Sequence, residues 1–209
     1  MKMAVFYFGG YNASWDDVVA WGTSASLQVP NMVVSVYAWP ASAPYTPEKS
    51  VVKGAEKLIQ AAVAHIEKSR ADVIYIVGHS SGCAIANEVH RRFQNVTKRA
   101  MIVGLVALDG FTPDANQLSQ FTTQVWGAMC DGQPSKNFPD PGVVGRHIYQ
   151  VPVKNCKQLW PLHFVLVNAA ARDGKVTGTS DGYDDCVANL IWLPKLQWLG
   201  RDSYRITFP

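Results

Sequence analysis

Apolar positions follow two rhythms along the first two-thirds of the chain. Short runs of β-branched and aromatic residues alternate with longer segments where apolar residues recur every three or four positions. Met3 to Phe8 (MAVFYF) predicts a strand ending at Gly9-Gly10. Ser14 to Leu27 predicts a helix, with Ser14 as its cap and Asp17 completing a capping box. Met32 to Tyr37 (MVVSVY) predicts the next strand, stopped by Pro40. Thr46-Pro47-Glu48 opens a long helix, with Thr46 as N-cap and Pro47 at the first helical position. Val51, Ala55, Leu58, Ala62 and Ile66 give that helix one apolar face. Val73 to Val77 (VIYIV) is apolar throughout, as a strand covered on both faces requires. A helix from Gly82 to about Phe93 and a strand from Ile102 to Leu108 follow.

This alternation predicts βαβ units and a mostly parallel sheet with helices on both faces, in one α/β domain over 1–209. Residues 110–145 break the rhythm. They carry a predicted helix, about Asp114 to Met129, then a loose stretch with Pro134, Pro139 and Pro141. The expectation there is a cap or lid inserted over the sheet. His147 to Val153 predicts a further strand. His163 to Val167 fits a strand or the start of a helix, Asp184 to Leu193 a helix, and Tyr204 to Phe208 a short last strand.

Composition narrows the classes of function. The 209 residues are 48% hydrophobic and 17% charged, which excludes a disordered chain. A balance of 19 basic to 16 acidic residues, with no run of five like charges, argues against nucleic acid or an anionic membrane surface as partner. No apolar stretch approaches the 18 or so residues of a membrane span. Met1 to Phe8 is too short for a signal sequence and leads straight into the first strand, so a cytoplasmic location is expected. Cys83, Cys130, Cys156 and Cys186 fit no zinc spacing. They read as reduced, partly buried thiols, with a single bridge as the alternative. No metal or organic cofactor is implied.

The strongest chemical signal is Gly78-His79-Ser80-Ser81-Gly82, a G-x-S-x-G pentapeptide. The pattern alone is common. Here it directly follows the VIYIV strand and directly precedes the helix CAIANEVHRRF, the strand–turn–helix setting that a nucleophile elbow requires. Glycines at 78 and 82 remove side chains that would collide in so sharp a turn, and Cys83, Ala84 and Ala86 let the helix approach the sheet. Ser80 then projects at the C-terminal rim of the sheet, where ligands bind in open α/β folds. The plain alternative is an ordinary tight Gly/Ser turn.

A serine nucleophile needs a base, usually a histidine held by an acid. His65 and His90 fall within helices and read as packing or surface residues, and the backbone directs His79 away from Ser80. Of the two remaining, His147 sits at the wrong end of a strand. His163 lies in the irregular segment Trp160-Pro161-Leu162-His163-Phe164 and is preferred. Asp109, closing the Ile102 to Leu108 strand, is the preferred acid because it shares a rim with Ser80; Asp140 lies in a loose loop. For the oxyanion, the candidate N–H donors are Ser81 and the turn after the first strand, with Tyr11 ahead of Gly10. Each of these residues also has a purely structural reading: a half-buried histidine, a turn-capping aspartate, a Gly-Gly turn.

With these residues in view, the chain resembles the α/β-hydrolase superfamily. FYFGGYNASW at 6–15, VGHSSGCA at 77–84, LVALDG at 105–110 and LHFVL at 162–166 carry the resemblance, and only the elbow among them is specific. It implies a serine hydrolase: an acyl group transferred to Ser80, His163 as general base and acid, Asp109 orienting it, and Ser81 and Tyr11 as oxyanion donors. The acid directly after the strand that follows the elbow helix, and the phenylalanine after the histidine, look like the thioesterase branch. The chain departs from the family pattern in lacking the usual first two strands and the His-Gly before the oxyanion turn.

Phe111, Phe121, Trp126, Met129 and Trp160 are candidates to line an apolar acyl or aryl pocket; packing of the cap onto the body is the alternative. No cluster of positive charge marks a phosphate-bearing carrier, which favours a neutral ester over a carrier-bound thioester. A non-catalytic binding protein on a hydrolase fold is the remaining class.

Overall fold

β-Branched and aromatic residues that alternate sides along a strand can bury both faces of a sheet, provided helices cover each face. The computed structural model describes residues 2–29, 31–97, 102–110, 123–130, 133–134, 148–153, 163, 166–167, 171–172, 175–176, 190, 192–193, 195–200 and 203–207. Its elements in chain order are β1 (Met3–Phe8), α1 (Trp15–Gln28), β2 (Met32–Tyr37), α2 (Glu48–Gly54), α3 (Glu56–Ser69), β3 (Val73–His79), α4 (Gly82–Val96) and β4 (Ile102–Leu108). After these come β5 (Thr123–Cys130), β6 (Gln133–Pro134), β7 (Ile148–Val153), β8 (Ala171–Arg172), β9 (Lys175–Val176), β10 (Lys195–Gly200) and β11 (Ser203–Thr207).

The main sheet runs β2-β1-β3-β4-β5-β7-β9-β8, and β6 pairs with β5. Every pairing from β2 through β9 along that path is parallel. Strand parity sorts the core into two layers. Val5, Tyr7, Val73, Tyr75 and Val77 face α1, together with Trp21, Trp126, Leu166, Val167 and Trp192. Ala4, Phe6, Phe8, Ile74 and Ile76 face the other way, onto Ile59 and Ile66 of α3 and Val89 and Phe93 of α4. Tyr7 stacks flat on Trp21 with ring centroids 3.9 Å apart. On the opposite layer Arg92 of α4 makes a two-pronged ion pair with Glu56 of α3, at 2.6 and 2.7 Å.

The expected capping box at Ser14 is present: Ser14 Oγ accepts from the Asp17 N–H, and Asp17 accepts from the Ser14 N–H at 2.7 Å. The long helix opened by Thr46-Pro47 differs from expectation in two ways. Pro47, not Thr46, is the N-cap, because Pro47 is itself extended and its carbonyl accepts from Ser50 and Val51. The helix also breaks at Ala55. Gly54 presses against the preceding loop, where a Cβ would lie 2.5 Å from Ala43 Cα, and its carbonyl accepts from Ser42 Oγ at 2.6 Å. That bond draws the carbonyl toward the loop, and helix geometry restarts as α3.

The helix expected over 114–129 is corrected where it is described: Thr123–Cys130 is β5, between β4 and β7. Gln124, Val125, Trp126 and Gly127 are all buried, and a short apolar run of this kind has no periodicity that separates strand from helix. The free edge of β4 decides it by supplying a hydrogen-bonding partner. This part of the expected 110–145 cap is therefore sheet; 111–122, 131–132 and 135–145 lie outside the described residues. Of the strand-or-helix alternatives at 163–167, the described residues are helical. The helix expected to run to Leu193 is corrected at its end, where Leu193 closes a turn onto the Leu190 carbonyl. The last strand pairs antiparallel with β10, which the pattern had not foreseen.

Among the described residues, no helix is long and apolar enough to cross a membrane, and no three His, Cys, Asp or Glu side chains cluster as metal ligands would. Cys83 is a buried free thiol, donating to the Gly78 carbonyl. Burial holds it well above the usual thiol range.

Candidate active site

β3 ends at His79 and α4 begins at Gly82, so the chain reverses over two residues. Ser80 occupies the left-handed region at φ 53°, which costs a residue with a Cβ about 1–2 kcal/mol. The turn is held by Ser80 N–H on the Leu108 carbonyl at 3.0 Å and by Cys83 N–H on the Ser80 carbonyl at 3.0 Å. Its glycines are required by contact. A Cβ on Gly78 would lie 2.6 Å from Cys83 Cα, and one on Gly82 would meet the Phe8 carbonyl at 2.6 Å. The approach of the β1–α1 turn is equally close: a Cβ on Gly10 would be 2.9 Å from Ser80 Cβ.

Asp109 leaves β4 with φ 45° and is 1% exposed. Its N–H donates to the Trp126 carbonyl at 2.8 Å, so β5 helps fix the turn. Gly110 then passes directly over the elbow, where any side chain would strike the Ser80 carbonyl. Across the sheet's C-terminal rim, His163 Nδ1–H donates to Asp109 Oδ2 at 2.5 Å, a short charge-assisted bond between residues 54 apart in the chain. His163 is buried, and Leu166 and Val167 anchor its segment in the α1-side core. Ser80, Gly10, Asp109 and His163 thus gather at one rim.

Ser81 is the N-cap of α4, so its N–H belongs to the first-turn donors that have no partner within a helix. Its hydroxyl donates to the Tyr45 carbonyl at 3.2 Å. Tyr11 is half-exposed, with its ring edge-on to Trp39 and Tyr45. The pocket expectation at Trp126 is corrected. Trp126 is 4% exposed and packs in the α1-side core, with its indole N–H donating to Gln124 Oε1 at 2.9 Å, because β5 rather than a cap helix carries it. Phe111, Phe121, Trp160, His147 and Asp140 lie outside the described residues.

One participant was passed over in the sequence. His79 is buried, and its Nε2–H donates to the His163 carbonyl at 2.9 Å, with the two rings 4.7 Å apart. Strand parity was the available signal: position 79 continues the series 73, 75, 77 on the α1 face, where Leu166 and Val167 also sit. Burial, and then the nearby His163, hold His79 down at about 3. Burial holds His90 in α4 down at about 4.

Both histidines are therefore neutral in the folded chain, while free histidine titrates near 6.5. Below that value the unfolded chain binds protons that the folded chain refuses, so stability falls as pH drops from about 6.5 toward 4. Each histidine contributes about 1.4 kcal/mol per pH unit in that window. Urea titrations at pH 7.5 and pH 5 are expected to show a clear loss of stability at pH 5, reduced by about half in His90→Gln. A flat profile would contradict the neutral assignment.

No family model and no curated protein matches the chain. Among solved structures, an acetylxylan esterase is similar at 14% identity over 71% of this chain and 82% of that one, with a TM-score of 0.40. RedJ is similar at 12% identity over 78% and 84%, with a TM-score of 0.47. A protein described as a predicted CIB-like hydrolase from Thermoplasma acidophilum is similar at 13% identity over 74% and 76%, with a TM-score of 0.46. Likeness at this level adds little beside the chain's own topology. That topology is a parallel sheet in the order β2-β1-β3-β4-β5-β7, layered by helices on both faces, with a left-handed serine between β3 and α4. It gives this chain the α/β-hydrolase fold.

Proposed function

We propose that the chain is a serine hydrolase that cleaves carboxylic esters through an acyl-enzyme on Ser80. The observation that carries this reading is the buried His163–Asp109 hydrogen bond at the rim where Ser80 stands in a left-handed turn. In the proposed reaction Ser80 Oγ attacks the acyl carbonyl as its proton passes to His163 Nε2. Asp109 holds the other ring nitrogen, which selects the tautomer with a free Nε2 and stabilises the imidazolium. The negative oxygen of the tetrahedral intermediate is met by the N–H groups of Ser81 and of Tyr11 or Gly10, together with the positive end of α4. His163 then protonates the departing alcohol and afterwards activates the water that frees the acid. Phe111 and Trp160 are proposed to line the acyl side.

A p-nitrophenyl ester series from acetate to decanoate tests the reaction and sizes the pocket, with acyl thioesters run in parallel to separate the two bonds. Turnover is expected, together with labelling of Ser80 by a fluorophosphonate probe read by peptide mass. A folded protein that neither turns over any ester or thioester nor takes the label is a binding protein on this fold, and the proposal fails.

A further inference from the structure

The ring of His163 is held at Nδ1 by Asp109, but its backbone enters the site from a different part of the chain. Placing Nε2 over Ser80 requires the backbone of residue 163 to be fixed too. The side chain of His79 ties that backbone to the elbow. His79 Nε2 lies 2.9 Å from the His163 carbonyl oxygen. A carbonyl only accepts, so Nε2 carries the proton and His79 is the donor. The His79 ring lies 4.7 Å from the His163 ring and inclined to it by 34°, forming part of the surface on which the base rests. His79 precedes Ser80 directly. One residue therefore joins the nucleophile's backbone to the base's backbone, across 84 positions of sequence.

We propose that His79 is a positioning residue for the base: its Nε2–H clamps the His163 carbonyl and its ring supports the imidazole, so that Nδ1 stays on Asp109 and Nε2 is left free to serve Ser80. This rests on the serine-hydrolase reading. The residue type suits the task. A lysine or arginine would place a fixed charge beside an imidazole that itself becomes cationic during each turnover. A buried histidine stays neutral there and still donates one directed hydrogen bond. An aliphatic residue would fill the space and leave the His163 carbonyl without that donor.

The experiment compares wild type, His79→Gln, His79→Asn and His79→Leu by two readouts. The first needs no substrate: the downfield Nδ1 proton of His163 in proton NMR, assigned by its loss in His163→Gln. The second is kcat and KM on the best ester, with Ser80→Ala as the blank. Glutamine reaches about as far as the imidazole Nε2, whereas asparagine falls short by a methylene. Leucine and asparagine are expected to broaden or shift the Nδ1 proton and to lower kcat about 10- to 100-fold, the cost of a misplacement near 1 Å, with KM within about twofold of wild type. Glutamine is expected to restore most of both. If asparagine matches glutamine in the NMR signal and in kcat, the clamp does nothing and the proposal is overturned. The same holds if glutamine is as impaired as leucine, since the ring would then act by packing alone. Should leucine fail to fold, the glutamine and asparagine pair decides. If wild type hydrolyses nothing and Ser80 takes no label, the functional reading fails, and the Nδ1 proton still reports whether His79 fixes His163.

Discussion

Ser80→Ala is expected to lower kcat on any ester the protein hydrolyses by up to about a millionfold, with stability unchanged or slightly higher. In the proposed reaction the activity loss follows from removing Ser80 Oγ, the atom that would form the covalent bond. A factor of that size is about 8 kcal/mol of transition-state stabilisation. The stability expectation follows from the backbone. Ser80 sits at φ 53° whether its side chain is serine or alanine, and the turn is held by main-chain bonds to Leu108 and Cys83. The substitution leaves these untouched. Ser80→Gly goes further, relieving the left-handed strain, and should raise the melting temperature while also abolishing turnover. Parallel kinetics and thermal melts check both halves. Ser80→Ala retaining more than about a hundredth of the wild-type kcat would remove the nucleophile assignment.

Asp109→Asn is expected to cost about 10⁴-fold in kcat and little in stability. Asparagine has the size of aspartate and also tolerates the left-handed backbone found at φ 45°, and the 109 N–H on the Trp126 carbonyl is unaffected. What changes is the proton pattern. A carboxylate only accepts, so it demands a proton on His163 Nδ1 and leaves Nε2 free to act as base. An amide can turn its NH₂ toward Nδ1, which moves the ring proton to Nε2 and blocks that nitrogen. The charge that stabilises the imidazolium is also gone. Single-turnover acylation measured across pH checks this. Activity within tenfold of wild type would mean that Asp109 only caps the turn after β4, and Asp140 would be the next acid to replace.

The local elements of the first 108 residues were legible because the helices keep one apolar period and the strands are marked by their length and flanking turns. MAVFYF, MVVSVY, VIYIV and IVGLVAL are too short and too uniformly apolar to be amphipathic helices, and each is bounded by a turn signal. Ser14 and Asp17 marked a helix start that the fold keeps. The elbow was legible because its pentapeptide stands between a strand pattern and a helix pattern, and because the demand at Gly78 is local: a side chain there meets the Cys83 backbone, whereas at Gly82 it would meet the carbonyls of Phe8 and Gly9.

Other features depended on neighbours far away in the chain. Residues 123–130 became a strand because β4 and β7 each offered an unpaired edge, and that gain outweighs the weak local preference of TQVWGAMC. The 48–69 helix broke at Ala55 because a loop residue twelve positions before Gly54 reaches the Gly54 carbonyl. His163 could be nominated from sequence by elimination, but only the folded chain brings its Nδ1 to Asp109. His79 could be named as the residue before the nucleophile, while its bond to the His163 carbonyl exists only through tertiary packing. Sequence by itself determined the βαβ framework and marked the serine turn, because helical period, turn signals and the Gly78–Cys83 contact all lie within a dozen residues. The tertiary structure decided what faces that serine, because hydrogen bonds between residues 54 and 84 positions apart are set by sheet order and core packing rather than by local preference.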